Sequence, residues 1–491
     1  MKRTLALALV LALLFLLPAC SSNNPEENAG ETVSADVSAN EGTAEEAVPE
    51  ETEYAPDLPE VTYDGAEFRV LYRTSSYAYA VDDIFVEGLT GEVTNDAVYN
   101  RNVEMEETYD FKFAPITAED PIYSITADFM AASDSYDLAM EQMNSLFTYA
   151  LRNYFYDWNT LEHFNPEDPW WDANCAKDLS FANKLYIMAG DISMQPSNCA
   201  RFIYYNKKIL EDYQLANPYE LVRENKWTID KMTDMVKSVS TDLNGDGKYT
   251  ADDVLGMLTE TPDFFLSGCG ILYTEKDEND LPIVNCINER TISALEAVKA
   301  LLTAPNCTQS YNQVAAGRDT SGYPHIFVFA RAEFFATDHF LFVQNGAGEA
   351  ATFIEMDPGY GVLPNPKLDE TQEQYYHLSD PYSCAWVIPG GNSKPEMTGV
   401  ILTAWAYNSR ELVDAYYETT LKHKRFNAPD DSEMLDIIRS SIRYEMSMLS
   451  DLGISGVINS AYSSGNLMSE YAKSEKKINK MMDKLFGDLI G

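Results

Sequence analysis

The chain has 491 residues, with 78 Asp and Glu against 35 Lys and Arg, for a formal net charge of −43. That balance excludes nucleic acid as a partner, which needs a basic surface, and it disfavours anionic ligands. Aromatic residues make up 12% of the chain, enough to line a cleft with ring faces once the core is filled.

The first element is a signal. Lys2 and Arg3 precede the apolar run "TLALALVLALLFLLPA", which is too short for a membrane span of ~20 residues and has the form of a secretion signal. It ends in Leu17, Pro18, Ala19 and Cys20, which resembles a bacterial lipobox. That resemblance implies cleavage before Cys20 and lipidation of its thiol. Ser21 to Glu60 carry twelve acidic residues and no Lys or Arg, so residues 20–61 are expected to form a disordered, self-repelling acidic tether. The globular body should then sit on the extracellular face of a bacterial membrane.

From residue 62 the signals alternate. "AEFRVLYRT" reads as a strand, 94–109 as a helix opened by an Asn/Asp cap, "DFKFAPI" as a strand, "ITADFMAAS" as a helix and "YDLAME" as a strand. This order predicts a mostly parallel sheet with helices on its faces. A second cycle follows. "KLYIMAG" and "CARFIYYNK" read as strands, "KILEDY" opens a helix, and "WTIDKMTDMVKSVS" is an amphipathic helix. "ERTISALEAVKALLTA" is another. "HIFVFARAEFFATDHFLFV" supplies helix and strand, "YGVLPNPK" and "SCAWVIP" supply strands, and the last sixty residues read as helical. The fold class expected is α/β, with two lobes.

Enzyme motifs are absent from the sequence. The five histidines are scattered, with no HExxH, no GxSxG and no GxxxxGK[ST]. Six cysteines follow Cys20, an even number that permits disulfides outside the cell without specifying pairs, and none forms a CxxC. Carboxylate pairs suited to glycoside hydrolysis are numerous by chance in so acidic a chain.

Several stretches together resemble a known family. They are "PWWDANCAKDLSFANKLYIMAGD", "ARFIYYNKKILEDYQLANPYEL" followed by "KWTIDKMTDM", "YGVLPNPKLDETQEQY", and "LVDAYYETTLKHKRFNAPDDSEMLDII". The family is extracellular solute-binding protein family 1, the lipid-anchored receptor subunit of carbohydrate ABC importers. The resemblance implies a periplasmic-binding-protein-like (type II) fold with an interlobe cleft, a first lobe of 62–195 and 382–425, and a second of 196–381 and 426–491. It also implies a carbohydrate ligand, expected to be an oligosaccharide, a permease partner, a monomer and no turnover. A surface glycan adhesin without a transporter and a glycoside-cleaving enzyme are the alternatives.

A sugar offers an apolar C–H face to aromatic rings and a rim of hydroxyls to Asp, Glu, Asn, Gln and Arg. The expected ligand-binding residues are Trp170 and Trp171 beside Pro169, Glu141 and Gln142 at the end of a strand, Ser76 and Tyr77 after the first strand, and Asp191 in the Gly-Asp turn. From the second lobe come Phe264, Arg331, Glu333 and Phe334. Trp386 reads as core.

One motif stands apart. In "DLNGDGKYTADD", Asp242, Asn244, Asp246 and Asp253 fall at positions 1, 3, 5 and 12 of a calcium loop, with Gly247 at the turn and the Lys248 carbonyl at position 7. No second loop pairs with it, so the expectation is a structural Ca2+ on a connection between two helices, not a sensor.

Overall fold

The computed structural model describes residues 54–73, 83–353, 355–356, 359–426, 428–450 and 452–487. The signal, Cys20, the tether up to residue 53, Ser76 and Tyr77 lie outside the described residues. The chain divides into a unit of residues 1–54 and one of residues 55–491, and the second contains everything that follows.

Its first sheet is built on the strand Ala66–Arg73, whose Phe68, Val70 and Leu71 are buried. This strand pairs in parallel with Phe111–Ala118 on one side and with Leu138–Gln142 on the other. The helices Val93–Tyr109 and Pro121–Met130 make the crossovers. The first of these is capped by Glu92, whose side chain accepts from Asn95 N–H, rather than by an Asn or Asp. Cys384–Val387 completes the sheet antiparallel to Leu138–Gln142, with Cys384 opposite Gln142. The expected strand over 184–190 makes only single bridges, including Met188 to Trp386, and runs along that edge.

The second sheet has the order Tyr360–Leu363, Phe202–Asn206, Phe340–Asn345, Val254–Thr259, with Ser240–Thr241 and Thr308–Ser310 sharing the last edge. It is mixed, not mostly parallel: Phe202–Asn206 runs antiparallel to both of its neighbours. The chain enters it there directly from the other lobe, without a crossover helix to restore direction.

Two crossings lie side by side at the junction, where Ala200 bridges Ser379 and Asp380 N–H donates to the Cys199 carbonyl at 3.2 Å. A third passes through the helical segment Ala415–Arg425. The C-terminal helices touch both lobes. Pro429–Ser440 packs on Tyr360–Leu363, Met446–Leu449 packs on the first-lobe helix Met143–Ala150, and Phe486 meets Phe181 edge-on at 6.0 Å. One hydrophobic cluster therefore runs through both lobes, while a second fills the other face of the first sheet around Trp158, Trp386 and Trp405. The six cysteines after Cys20 are all buried and unbridged.

Candidate functional site

The carboxyl ends of the first-lobe strands point to the junction. Arg73 closes the first strand there and donates to Glu141 Oε1 at 2.7 Å, and pairs with Asp120 Oδ1 at 2.8 Å. Glu141 also accepts from the Gln142 and Ile122 amides, at 2.6 and 3.2 Å. Both of its oxygens are thus occupied within the protein, which makes it the anchor of Arg73. Gln142 is buried beside it.

The second-lobe edge carries a denser cluster. Arg201, one residue before its strand, donates to Asp380 Oδ2 at 2.6 Å and to the Asn345 side chain, and its guanidinium lies 5.2 Å over the Phe264 ring. Glu260, one residue after the strand Val254–Thr259, brings Oε2 to 3.9 Å from Arg201. Arg331 pairs with Glu349 at 2.9 Å and lies 5.8 Å over Tyr311. Burial pushes the Tyr311 phenol well above its usual value, and the charges of Arg331, Glu260 and Arg201 all reach it. Phe264 and Arg331 are thereby gathered into one wall. Glu333 and Phe334 have other partners: Glu333 is exposed and accepts from Tyr323, and Phe334 lies under Arg318 at 4.9 Å.

Buried groups in this region that make no hydrogen bond within the described residues include Glu260 Oε2 and the side-chain amide of Asn198, which is on the first crossing. A polar atom left so costs about 1–3 kcal/mol, and such atoms mark places where a polar ligand finds ready partners.

A cavity of about 360 Å³ opens where the turn Ala189–Met194 meets the helix Pro429–Ser440. Its lining includes Trp171, Asp172, Asp191, Ser193, Ser197 and Arg439. That volume falls in the range of small-ligand sites. Gly190 makes the approach possible, since a Cβ there would sit 2.5 Å from Trp171 Cε3 and 2.7 Å from the Trp170 carbonyl. Asp191 Oδ1 lies 3.5 Å from Arg439 Nη2 on that helix. Burial pushes its carboxyl up to about 7, against the opposing pull of Arg439. Asp172 accepts from the Tyr444 hydroxyl at 2.7 Å and from Cys175 N–H at 3.0 Å, and burial raises it too.

The tryptophan pair is more deeply set than a stacking platform. Trp170 is 1% exposed and packs edge-on against Tyr407; Trp171 is 5% exposed and sits between Trp158 and Phe164. Only Trp171 reaches the cavity wall. Trp386 is core, as expected.

The calcium-type loop joins two antiparallel strands, Ser240–Thr241 and Val254–Thr259, not two helices. Its turn is wound as the motif requires, with Gly245 and Gly247 at φ +73° and +76°. Asp242 accepts from Gly245 and Gly247, Asn244 from Asp246, and Asp246 from Lys248. These amides hold the Asp242 carboxyl below its usual value and so ionised. Asp253 is buried, and its two oxygens accept from Leu243 and Thr250. The donors are hard oxygens suited to Ca2+, but among the described residues no group of three or more His, Cys, Asp or Glu is gathered to hold a metal ion.

Arg201, Glu260, Tyr311 and Arg439 were not singled out from the sequence. Glu260 lies at the carboxyl end of its strand region as Glu141 does, so the same rule applied to "VLGMLTE" finds it. Nothing local marks Arg439.

No family model matches the chain, and no curated protein sequence matches it. Solved structures do. The galacto-N-biose/lacto-N-biose I-binding protein of an ABC transporter from Bifidobacterium longum, in complex with lacto-N-biose, superposes with a TM-score of 0.55 at 13% identity, over 87% of this chain and 98% of that one. A cyclo/maltodextrin-binding protein complexed with maltotetraose gives 0.54 at 13% identity, over 86% and 97%. An ABC substrate-binding protein from Listeria monocytogenes, in complex with cycloalternan, gives 0.52 at 14% identity, over 85% and 99%. At such identities the likeness is one of fold, and the chain has the two-lobed, periplasmic-binding-protein-like α/β fold of these sugar-binding proteins.

Proposed function

We propose that the chain is an extracellular, lipid-anchored solute-binding receptor that captures a neutral carbohydrate between its lobes and delivers it to an ABC importer permease. The observation that carries this reading is the cavity of about 360 Å³, where Trp171, Asp172 and Asp191 face Arg439 of the helix Pro429–Ser440, which packs on the second sheet. The ligands of the three structural neighbours named above are sugars. Charge supports a neutral ligand: Arg73, Arg201, Arg331 and Arg439 each face a carboxylate of the chain itself, which leaves an anion poorly matched. Lipidation at Cys20 would keep the receptor beside its permease.

The test is a thermal-shift screen across mono- and oligosaccharides. A ligand at 100 times its Kd adds ~2.7 kcal/mol of stability. A flat screen sinks the carbohydrate reading, and new reducing ends on incubation with an oligosaccharide would make the protein an enzyme instead.

A structural Ca2+ on the 242–253 loop belongs to the same proposal. Asp242, Asn244, Asp246, the Lys248 carbonyl and Asp253 would hold it through hard oxygen donors, and the ion would brace the connection between the two strands. Calcium should raise the melting temperature and EDTA reverse it; no response to either removes the metal from the proposal.

A further inference from the structure

The last helix, Leu467–Phe486, reverses the charge of the chain. It carries Lys473, Lys476, Lys477, Lys480 and Lys484 against Glu470, Glu475 and Asp483, within a protein of 35 basic and 78 acidic residues. At 3.6 residues per turn the five lysines fall within an arc of about 100°. The buried Leu467, Ile478 and Phe486 lie on the far side. All five lysines are exposed, and their Cα atoms from Lys473 to Lys484 span about 17 Å along the axis. The arrangement is thus a basic stripe laid opposite the packed face. Lys473 pairs with Glu470 at 2.8 Å, while the other four run on toward the helix end.

Such a stripe suits a flat or extended polyanion. Nucleic acid is excluded by the acidity of the rest of the surface, which would repel a duplex along its length. A bilayer meets only the part of the protein turned toward it, and acids elsewhere are screened beyond about 8 Å at physiological salt. We propose that the Lys473–Lys484 face of the last helix docks on anionic lipid headgroups and holds the globular body against the membrane surface.

The test is co-sedimentation of the full chain with vesicles of phosphatidylcholine alone and of equal parts phosphatidylcholine and phosphatidylglycerol. The apolar N-terminal run is present in both arms, so only the gain on adding the anionic lipid is read. The proposal expects a gain that fades with added salt, falls by about fivefold for each lysine removed in the series Lys476→Gln, Lys477→Gln, Lys480→Gln and Lys484→Gln, and persists in the matching four-arginine variant. Thermal melts check that the variants stay folded. No gain from phosphatidylglycerol in the wild-type chain overturns the proposal. So does a gain that survives in the four-glutamine variant, which would assign it to Lys2 and Arg3.

Discussion

Arg201 and Asp380 meet at 2.6 Å on two neighbouring chain crossings, 179 residues apart in sequence. The pair ties the entry into the second sheet to the return toward the first, and it does so where the chain must bend if the lobes move. Both side chains are nearly buried, at 8% and 12% exposure. The favourable geometry matters because a buried pair compensates its desolvation only when its hydrogen bonds are well made.

Removing one partner should therefore be costly. Arg201→Gln leaves Asp380 buried beside Glu260, and a loss of about 3–5 kcal/mol is expected. Urea denaturation reads it directly. A loss under ~1 kcal/mol would mean that the crossings are held by the hydrophobic cluster alone.

Asp191 makes folding sensitive to pH. Burial raises its folded-state carboxyl from an ordinary 3.8 to about 7, so the folded protein binds a proton that the unfolded chain has already released. Its contribution is thus most favourable in acid and is lost as pH rises from about 4 to about 7. Asp191→Asn should flatten this part of the stability profile by an amount on the order of 2–4 kcal/mol. An unchanged profile would place the carboxylate in open water.

His377 acts with the opposite sign. Fully buried, its Nε2 accepts from Asn365 N–H at 2.9 Å and its Nδ1 lies 2.8 Å from Ser441 Oγ, so the ring is neutral with Nδ1–H donating. Burial lowers its pKa from 6.5 to about 3. The stability that it secures is present above the unfolded value and is lost as pH falls from about 6.5 toward 3, at a slope of up to ~1.4 kcal/mol per unit. His377→Gln, which keeps one acceptor and one donor, should be less stable at neutral pH but lose less on acidification to pH ~4.5 than the wild type does. Parallel acid limbs in the two proteins would refute the assignment.

Glu260 separates binding from folding. Its Oε2 makes no hydrogen bond within the described residues and stands 3.9 Å from Arg201, which keeps Asp380 as its close partner, so Glu260→Gln should cost at most about 1 kcal/mol of stability. Glu260 does not line the cavity of about 360 Å³, so a sugar long enough to reach from that cavity to the Arg201–Glu260 wall should lose about tenfold in affinity, the loss of a charge-assisted hydrogen bond. Unchanged affinity by calorimetry would put the ligand elsewhere in the junction.

Gly190 is set by space. Gly190→Ala places a methyl group inside the Trp171 ring and against the Trp170 carbonyl, and a loss of at least ~2 kcal/mol is expected, with collapse of the cavity. A neutral melt would show that the Trp171 ring can move aside.

Local pattern decided much of the architecture. The alternation of "AEFRVLYR" and "DFKFAPITA", separated by a helix of 3.6-residue period, is sufficient to specify a parallel pair, because each segment carries its own periodicity. The Gly-turned calcium-type loop was legible for the same reason, since the hydrogen bonds that Asp242, Asn244, Asp246 and Asp253 accept from backbone amides close within twelve residues. What a strand end faces is not local. Glu141 was expected to meet ligand and is instead engaged by Arg73 and by the Gln142 and Ile122 amides, and the place of Arg73 beside it depends on the register of two strands. The tryptophan pair was placed correctly in a loop, but its burial depends on Trp158, Phe164 and Tyr407 arriving from other segments. The cavity itself exists only because Asp191 and Arg439, 248 residues apart, are brought to opposite lips by the packing of the last third of the chain on both lobes. The sequence by itself determined the elements and the two-lobed α/β plan; which polar groups are paired and which are left open to a ligand was decided by tertiary structure, because pairing energies depend on distances that no local spacing encodes.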